Sequence, residues 1–120
     1  MTDAPRRAPA CAALILLVML GGPSLARAAG PADSTDMRAL LEQRGCHACH
    51  HASETLIGPS YRAIARRHAP HKDVMVEVLA TKIMVGGAGN WGVVPMVPSE
   101  HVSTAEARAM AAWILDQKFE

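Results

Sequence analysis

Residues 44–51, with the sequence RGCHACHH, place two cysteines and three histidines within eight positions. Cys46 and Cys49 are separated by two residues, and His50 follows the second cysteine directly. Thiolate sulfur and imidazole nitrogen are ligands for transition metals, and paired thiols also take part in redox chemistry. Three kinds of site use such a cluster: a zinc site, a dithiol redox pair and a covalently attached haem.

The spacing of the cluster favours haem. Cys-x-x-Cys-His is the attachment signature of c-type haem. On a helical turn both cysteine side chains point the same way, so that each sulfur can reach one vinyl group of a porphyrin. His50 then lies where its imidazole can bind the iron as the proximal ligand.

The other two interpretations need partners that the sequence does not supply. A structural zinc site uses four ligands, and the chain has no second cysteine pair. Nitrogen ligands could come from His51, His68, His71 and His101. A thioredoxin-like redox pair needs a βαβ context, and the chain shows no strand pattern.

The N-terminal segment has the parts of a secretory signal peptide. Arg6 and Arg7 precede an apolar run from Ala8 to Leu20, and residues 26–28 form an A-x-A cleavage site. We expect residues 1–28 to be a cleavable signal peptide and residues 29–120 to form one domain. The apolar run is shorter than the roughly 20 residues of a membrane span, which disfavours the alternative of an uncleaved anchor. The sequence therefore predicts a periplasmic protein, cleaved near Ala28, with no stable membrane anchor after cleavage.

The charge balance of the predicted domain argues against nucleic-acid binding. Loss of Arg6, Arg7, Arg27 and Asp3 with the signal peptide leaves 9 basic and 10 acidic residues of the original 12 and 11. Nucleic-acid binders carry a basic patch or stripe instead.

A domain of this size also needs extra stabilisation from disulfides, a metal or a large cofactor. A disulfide between Cys46 and Cys49 would close only a tiny loop. A cofactor is the better expectation.

Helical periodicity and capping residues predict an all-α domain. We expect helices at 36–44, 61–68, 72–85 and 103–118, with Ser60 as an N-cap and Ser103 with Glu106 as a capping box. Val74, Val78, Leu79 and Ile83 are expected to form the apolar stripe of the third helix. Arg62, Arg66 and Arg67 indicate a solvated face of the second helix. Residues 86–99, rich in Gly and Pro, are expected to form a long irregular loop.

One methionine stands out as a second ligand to the iron. The predicted domain contains Met37, Met75, Met84, Met96 and Met110. Only Met96 lies on an irregular loop, between Pro95 and Pro98, where restricted backbone freedom presents a weak ligand at low ordering cost. A thioether is a soft donor suited to haem iron. Met96 is therefore the predicted sixth ligand, with His68, His71 and His101 as rivals.

Four segments in order, CHACH, GPSYRAIA, GGAGNWGVVPM and VSTAEARAMAAWIL, resemble the short bacterial class I monohaem cytochromes c of the c-551/c-552 type. The resemblance implies the class I cytochrome c fold, with about four short helices around one covalently attached haem c and Met96 on its ligand loop. It further implies that the carbonyl of Pro59 accepts a hydrogen bond from His50. Trp91 and Lys82 would contact a haem propionate.

The chain departs from that family pattern at three places. Val97 follows the methionine where proline is common, and Asn90 occupies a position that is often apolar. Leu40 and Leu41 stand where an aromatic residue often packs against the last helix, here against Trp113. None of these differences removes a ligand.

The resemblance implies an electron carrier and not an enzyme. We expect a monomeric one-electron shuttle of a respiratory chain that docks transiently with redox protein donors and acceptors. An apolar patch of Ala48, Val93, Val94 and Val97 around an exposed haem edge would suit such weak docking. One alternative is a haem c subunit of a permanent dehydrogenase or reductase complex. Another is an enzyme or gas sensor with an open sixth site, against which the methionine loop argues.

Overall fold

The computed structural model describes residues 34–118, and all structural statements below concern that part of the chain. It contains four α-helices: α1 (Ser34–Gln43), α2 (Tyr61–His68), α3 (Lys72–Val85) and α4 (Thr104–Leu115). Short 3-10 turns follow α1 at Cys46–Ala48 and α2 at Ala69–His71. The all-α prediction is confirmed. The predicted signal peptide, residues 1–28, lies outside the described residues.

Local capping interactions explain where the helices begin and end. The Ser60 hydroxyl accepts a hydrogen bond of 3.1 Å from the Ala63 amide at the start of α2. Ser103 and Glu106 form the reciprocal capping box of α4. Gly86, at φ +68°, ends α3 in the left-handed region where glycine costs least. The predicted caps are confirmed, and α4 ends earlier than expected, at Leu115.

The hydrophobic core lies where α4 packs against the other three helices. Its most deeply buried large side chains are Met37, Leu41 and Met110. Tyr61 of α2 meets Trp113 of α4 edge to face, with ring centroids 5.8 Å apart, a favoured geometry for aromatic pairs. Leu41 is 1% exposed, so aliphatic packing in α1 replaces the aromatic residue that the family often has.

The expected apolar stripe of α3 is only partly correct. Ala80 and Ile83 are buried, whereas Val74 is 67% exposed. Val78 and Leu79 face a cavity. Because apolar residues occur almost all round this helix, periodicity alone could not distinguish the face in contact with the core from its neighbours.

The segment between α3 and α4 is irregular, as expected. Its one regular feature is an isolated antiparallel bridge between Gly87 and Met96. The two residues exchange hydrogen bonds of 2.9 and 3.0 Å between their backbone amides and carbonyls. No β-strand occurs within residues 34–118. The bridge closes the loop on itself and fixes the backbone of Met96.

Within residues 34–118, no helix combines the length and the apolarity needed to cross a bilayer.

Candidate functional site

A cavity of about 290 Å³ opens between the cysteine motif, α3 and the loop after α3. Its walls are mostly apolar, as is usual for small-molecule and cofactor sites. The residues predicted to attach, ligate or surround the haem all line this one cavity: Cys46, Cys49, His50, Pro59, Lys82, Trp91 and Met96. The fold therefore brings together side chains that are up to 50 positions apart in sequence.

The cysteine motif forms a tight turn at the cavity wall. Gly45, at φ +77°, lets the chain leave α1 and enter the 3-10 turn Cys46–Ala48. The amides of Cys49 and His50 both donate to the Cys46 carbonyl, at 3.2 and 3.0 Å. Both cysteines are half-buried and are not joined by a disulfide. Burial raises the pKa of the Cys46 thiol.

The orientation of His50 is fixed by a single hydrogen bond. Its Nδ1 atom lies 2.7 Å from the carbonyl oxygen of Pro59. A carbonyl can only accept, so Nδ1 carries a proton, and in the neutral imidazole Nε2 then has the free lone pair. This is the tautomer that a metal-ligating imidazole requires.

Tyr61 and Gly58 also lie against the His50 ring, and neither contact was predicted from the sequence. Tyr61 stacks on the imidazole, with centroids 5.8 Å apart and planes at 18°. A Cβ atom at Gly58 would lie 2.6 Å from Cε1 of His50, which only glycine avoids. The available sequence signal for the Gly58 contact was the segment GPS, since glycine allows the backbone to approach another group closely.

Met96 reaches the same cavity from the loop. Its backbone is held by the bridge to Gly87, and a Cβ atom at Gly86 would collide with its carbonyl oxygen. Its half-buried side chain packs against the hydrophobic core. Glycine at position 86 therefore lets the methionine loop cross directly over the end of α3.

The remaining methionines divide between the core and the cavity. Met37 and Met110 are buried in the core, as expected. The Met84 sulfur accepts a weak hydrogen bond from Thr104 at 3.8 Å. Met75, which is half-buried, lines the cavity together with Met96, and the buried Met110 also reaches the cavity wall. Met75 and Met110 thus bring further thioethers to the site, which their helical positions had concealed.

Two of the three rival histidines also reach the cavity, namely His68 and His101, whereas His71 is not among its lining residues. Burial, followed by the charge of Arg67 and the proximity of His71, lowers the pKa of His68. The Nε2 atom of His101 lies 3.3 Å from the carbonyl of Arg44. Within residues 34–118, no three His, Cys, Asp or Glu side chains are grouped as a metal site would require.

Trp91 is held by a residue that was expected to be merely solvated. The guanidinium of Arg67 lies 4.7 Å from the centroid of the Trp91 ring. Its Nη1 also donates a 2.7 Å hydrogen bond to the carbonyl of Asn90. Lys82 approaches the same loop, since a Cβ atom at Gly87 would lie 2.7 Å from its Nζ. No local sequence signal links Arg67 to Trp91, because the contact joins α2 to a distant loop.

These residues fit a covalently attached haem. Two sulfur atoms and a correctly protonated imidazole come from one turn, and a thioether on a braced loop reaches the same apolar cavity. The donor set of two thiols, one imidazole and one thioether is that of a c-type haem site. The fold and the site together define an all-α haem protein.

Comparison with known proteins gives the family. No protein-family model matches the chain. Cytochrome c-552 of Hydrogenobacter thermophilus is 47% identical over 79 residues, which cover 66% of this chain and 79% of that protein. Cytochrome c-551 of Azotobacter vinelandii is 40% identical over 79 residues, covering 66% and 94%. The crystal structure of Nitrosomonas europaea cytochrome c552 superposes with a TM-score of 0.64 at 41% identity, covering 68% of this chain and 99% of that chain.

The chain therefore belongs to the small bacterial class I monohaem cytochromes c of the c-551/c-552 type. Proteins of this family carry one covalently bound haem c and are electron carriers, not enzymes. The predictions of the family, the fold, the cofactor and the carrier function are confirmed. The roles of individual residues at the haem stay predictions.

Proposed function

We propose that the mature chain is a periplasmic one-electron shuttle whose haem c is attached through Cys46 and Cys49 and ligated by His50 and Met96. The observation that carries this proposal is the hydrogen bond from His50 Nδ1 to Pro59. It commits one ring nitrogen to the protein and leaves the other for the iron, in a cavity that Met96 also lines.

The protein's contribution to electron transfer is to hold the ligands still. When bound, the haem iron supplies the one-electron couple. Pro59, Gly58 and Tyr61 restrain the His50 ring, and the bridge to Gly87 restrains the Met96 backbone. Ligands that keep their positions in both oxidation states need little rearrangement, which favours rapid electron exchange. A thioether as second axial ligand also favours the reduced form and raises the reduction potential.

The periplasmic location is supported by the sequence of residues 1–28, which has the parts of a cleavable signal peptide. Attachment of haem c in bacteria takes place outside the cytoplasm, which agrees with export. N-terminal sequencing of the exported protein should begin at or near Ala29. A mature protein that still begins at Thr2 would exclude cleavage.

Docking to redox partners is assigned to the apolar patch of Ala48, Val93, Val94 and Val97. The three valines are 92%, 60% and 71% exposed, respectively. A small apolar surface beside a cofactor suits weak and short-lived complexes. Gel filtration of native periplasmic extract should show the haem protein eluting at the mass of one chain. Elution with a larger complex would instead support the permanent-subunit alternative.

The ligand assignment is tested by comparing Met96→Ala with Met75→Leu, which changes another methionine that lines the cavity. Oxidised wild type should show the weak far-red sulfur-to-iron absorption band. Met96→Ala should abolish the band, lower the reduction potential and admit carbon monoxide, whereas Met75→Leu should retain the wild-type behaviour. If Met96→Ala keeps the band, the sixth ligand is another thioether.

A further inference from the structure

Arg67 joins α2 to the loop that carries Trp91 through two separate contacts. Its guanidinium lies over the indole, 4.7 Å from the ring centroid. The same guanidinium donates a 2.7 Å hydrogen bond to the carbonyl of Asn90, the residue before the tryptophan. One planar group therefore restrains both the backbone and the ring of this part of the loop.

The Trp91 ring has no comparable restraint from its own segment. It lies between Gly89 and Gly92, whose φ angles are +93° and +116°, and a Cβ atom at either glycine would meet nothing within 4 Å. Trp91 itself is 44% exposed. A loop of this composition loses much conformational entropy when it becomes ordered. The contacts from Arg67 on α2 therefore have a large effect on the position of the indole.

A cation over an aromatic face also changes the ring's chemistry. It attracts the negative face of the indole and draws electron density from the ring, which makes the Nε1–H a stronger hydrogen-bond donor. The indole has a donor and no acceptor, so it can serve only an acceptor, and an anionic one best. Lys82 lines the same cavity and adds a second positive charge suited to an anion.

We propose that Arg67 is a positioning residue, which holds the Trp91 indole at the cavity wall and strengthens its N–H as a donor to a carboxylate bound in the cavity. The carboxylate class includes the propionate groups of haem. The inference rests on the proposed function only in taking the cavity as the haem site. A lysine cannot replace this arginine, because an ammonium group has neither the planar face nor the fork of donors.

The test uses the intact holoprotein and the two tryptophans of the chain, Trp91 and Trp113. The indole N–H resonances of ¹⁵N-labelled, reduced protein are compared for wild type, Arg67→Gln and Arg67→Lys. Arg62→Gln is the matched control, since it removes the same charge from an exposed position on the same helix. Trp113 packs on Tyr61 and is an internal reference.

Both Arg67 variants should shift the Trp91 indole resonance and accelerate its solvent exchange roughly two- to fivefold, the equivalent of losing an exposed cation–π contact. Trp113 and the Arg62→Gln protein should be unaffected. Arg67→Gln should lower the reduction potential more than Arg67→Lys does, because only the first removes the charge. An unchanged Trp91 resonance and exchange rate in Arg67→Gln would overturn the proposal, as would an equal change in Arg62→Gln.

Failure of this proposal and failure of the proposed function are distinguishable. The far-red band of the wild type tests the Met96 ligand and does not depend on Arg67. A wild type with the band and an Arg67→Gln protein with an undisturbed Trp91 would reject the positioning role of Arg67 alone. A wild type without the band would reject the ligation by His50 and Met96 whatever the state of Trp91.

Discussion

Gly58 lies directly against the imidazole ring of His50. A Cβ atom at Gly58 would be 2.6 Å from Cε1, 2.9 Å from Nδ1 and 3.0 Å from Nε2 of that ring. The glycine has no positive φ, so its backbone conformation is open to other residues. Glycine is required here because a Cβ atom has no space beside the histidine, and not because of the backbone conformation.

Gly58→Ala should therefore displace the His50 ring or the segment around Pro59. Overpacking of this kind costs roughly 1–3 kcal/mol, and it should also weaken ligation and the yield of holoprotein. The free energy of unfolding in guanidinium and the visible spectrum measure the two effects. Gly92→Ala is the control for the spectrum, because a Cβ atom there meets nothing and Gly92 is outside the cavity lining, although its positive φ adds strain of its own. A Gly58→Ala protein with the spectrum and stability of wild type would show that the contact is not restrictive.

Tyr61 should contribute through its ring and hardly at all through its hydroxyl. The buried Oη atom has no hydrogen-bond partner among residues 34–118, while the ring packs between His50 and Trp113. Removing an unpaired buried hydroxyl loses no hydrogen bond and removes its desolvation penalty, so Tyr61→Phe should be at least as stable as wild type. Tyr61→Ala should cost about 3–5 kcal/mol in denaturant unfolding. A large loss in Tyr61→Phe would show that the hydroxyl has a partner in the holoprotein.

Stability at acidic pH should depend on Glu106 in the capping box of α4. The hydrogen bond from Arg44, then those from Ser103, lower the pKa of Glu106 from 4.5 to about 2. A folded-state pKa below the unfolded value gives stability that is complete above the unfolded pKa and is lost as the pH falls through the folded pKa. The advantage of wild type over Glu106→Gln should thus be constant above about pH 5 and shrink between pH 4.5 and 2.

The measurement is denaturant unfolding of both proteins from pH 7 to pH 2. Because the two proteins share every other titrating group, their difference isolates Glu106. Arg44→Gln removes the hydrogen bond that lowers the pKa of Glu106 most. This variant should therefore show a weaker dependence of stability on pH over the same range. Parallel loss of stability in wild type and Glu106→Gln over this range would contradict the prediction.

Electron exchange with partners should depend on the apolar patch. Val93 is 92% exposed, and a charge there would be desolvated on docking. Val93→Lys should slow electron transfer at least about fivefold, the kinetic equivalent of about 1 kcal/mol at an interface. Val74→Lys is the control, as that valine is 67% exposed but lies on α3 and not on the loop that carries the patch valines. Stopped-flow rates that fall equally in both variants would indicate a general charge effect.

Much of this molecule was readable from the sequence because the deciding interactions are local. Cys46, Cys49 and His50 lie within five positions, so their spacing alone indicates haem attachment. The caps at Ser60 and Ser103 each bond an amide three residues away. Met96 was distinguishable because proline residues restrict the chain around it. Helices, their caps and the ligand motif all depend on neighbours along the chain.

The tertiary structure decided what depends on distant neighbours. Met75 faces the cavity and Val74 faces outward because of how α3 packs, and a helix whose apolar residues are spread around its circumference carries no pattern that distinguishes these faces. Arg67 meets the segment of Asn90 and Trp91 from 23 positions away. Gly58 is required by a ring that belongs to another segment. These contacts depend on where the loops and helices lie relative to one another, so only the folded chain could reveal them.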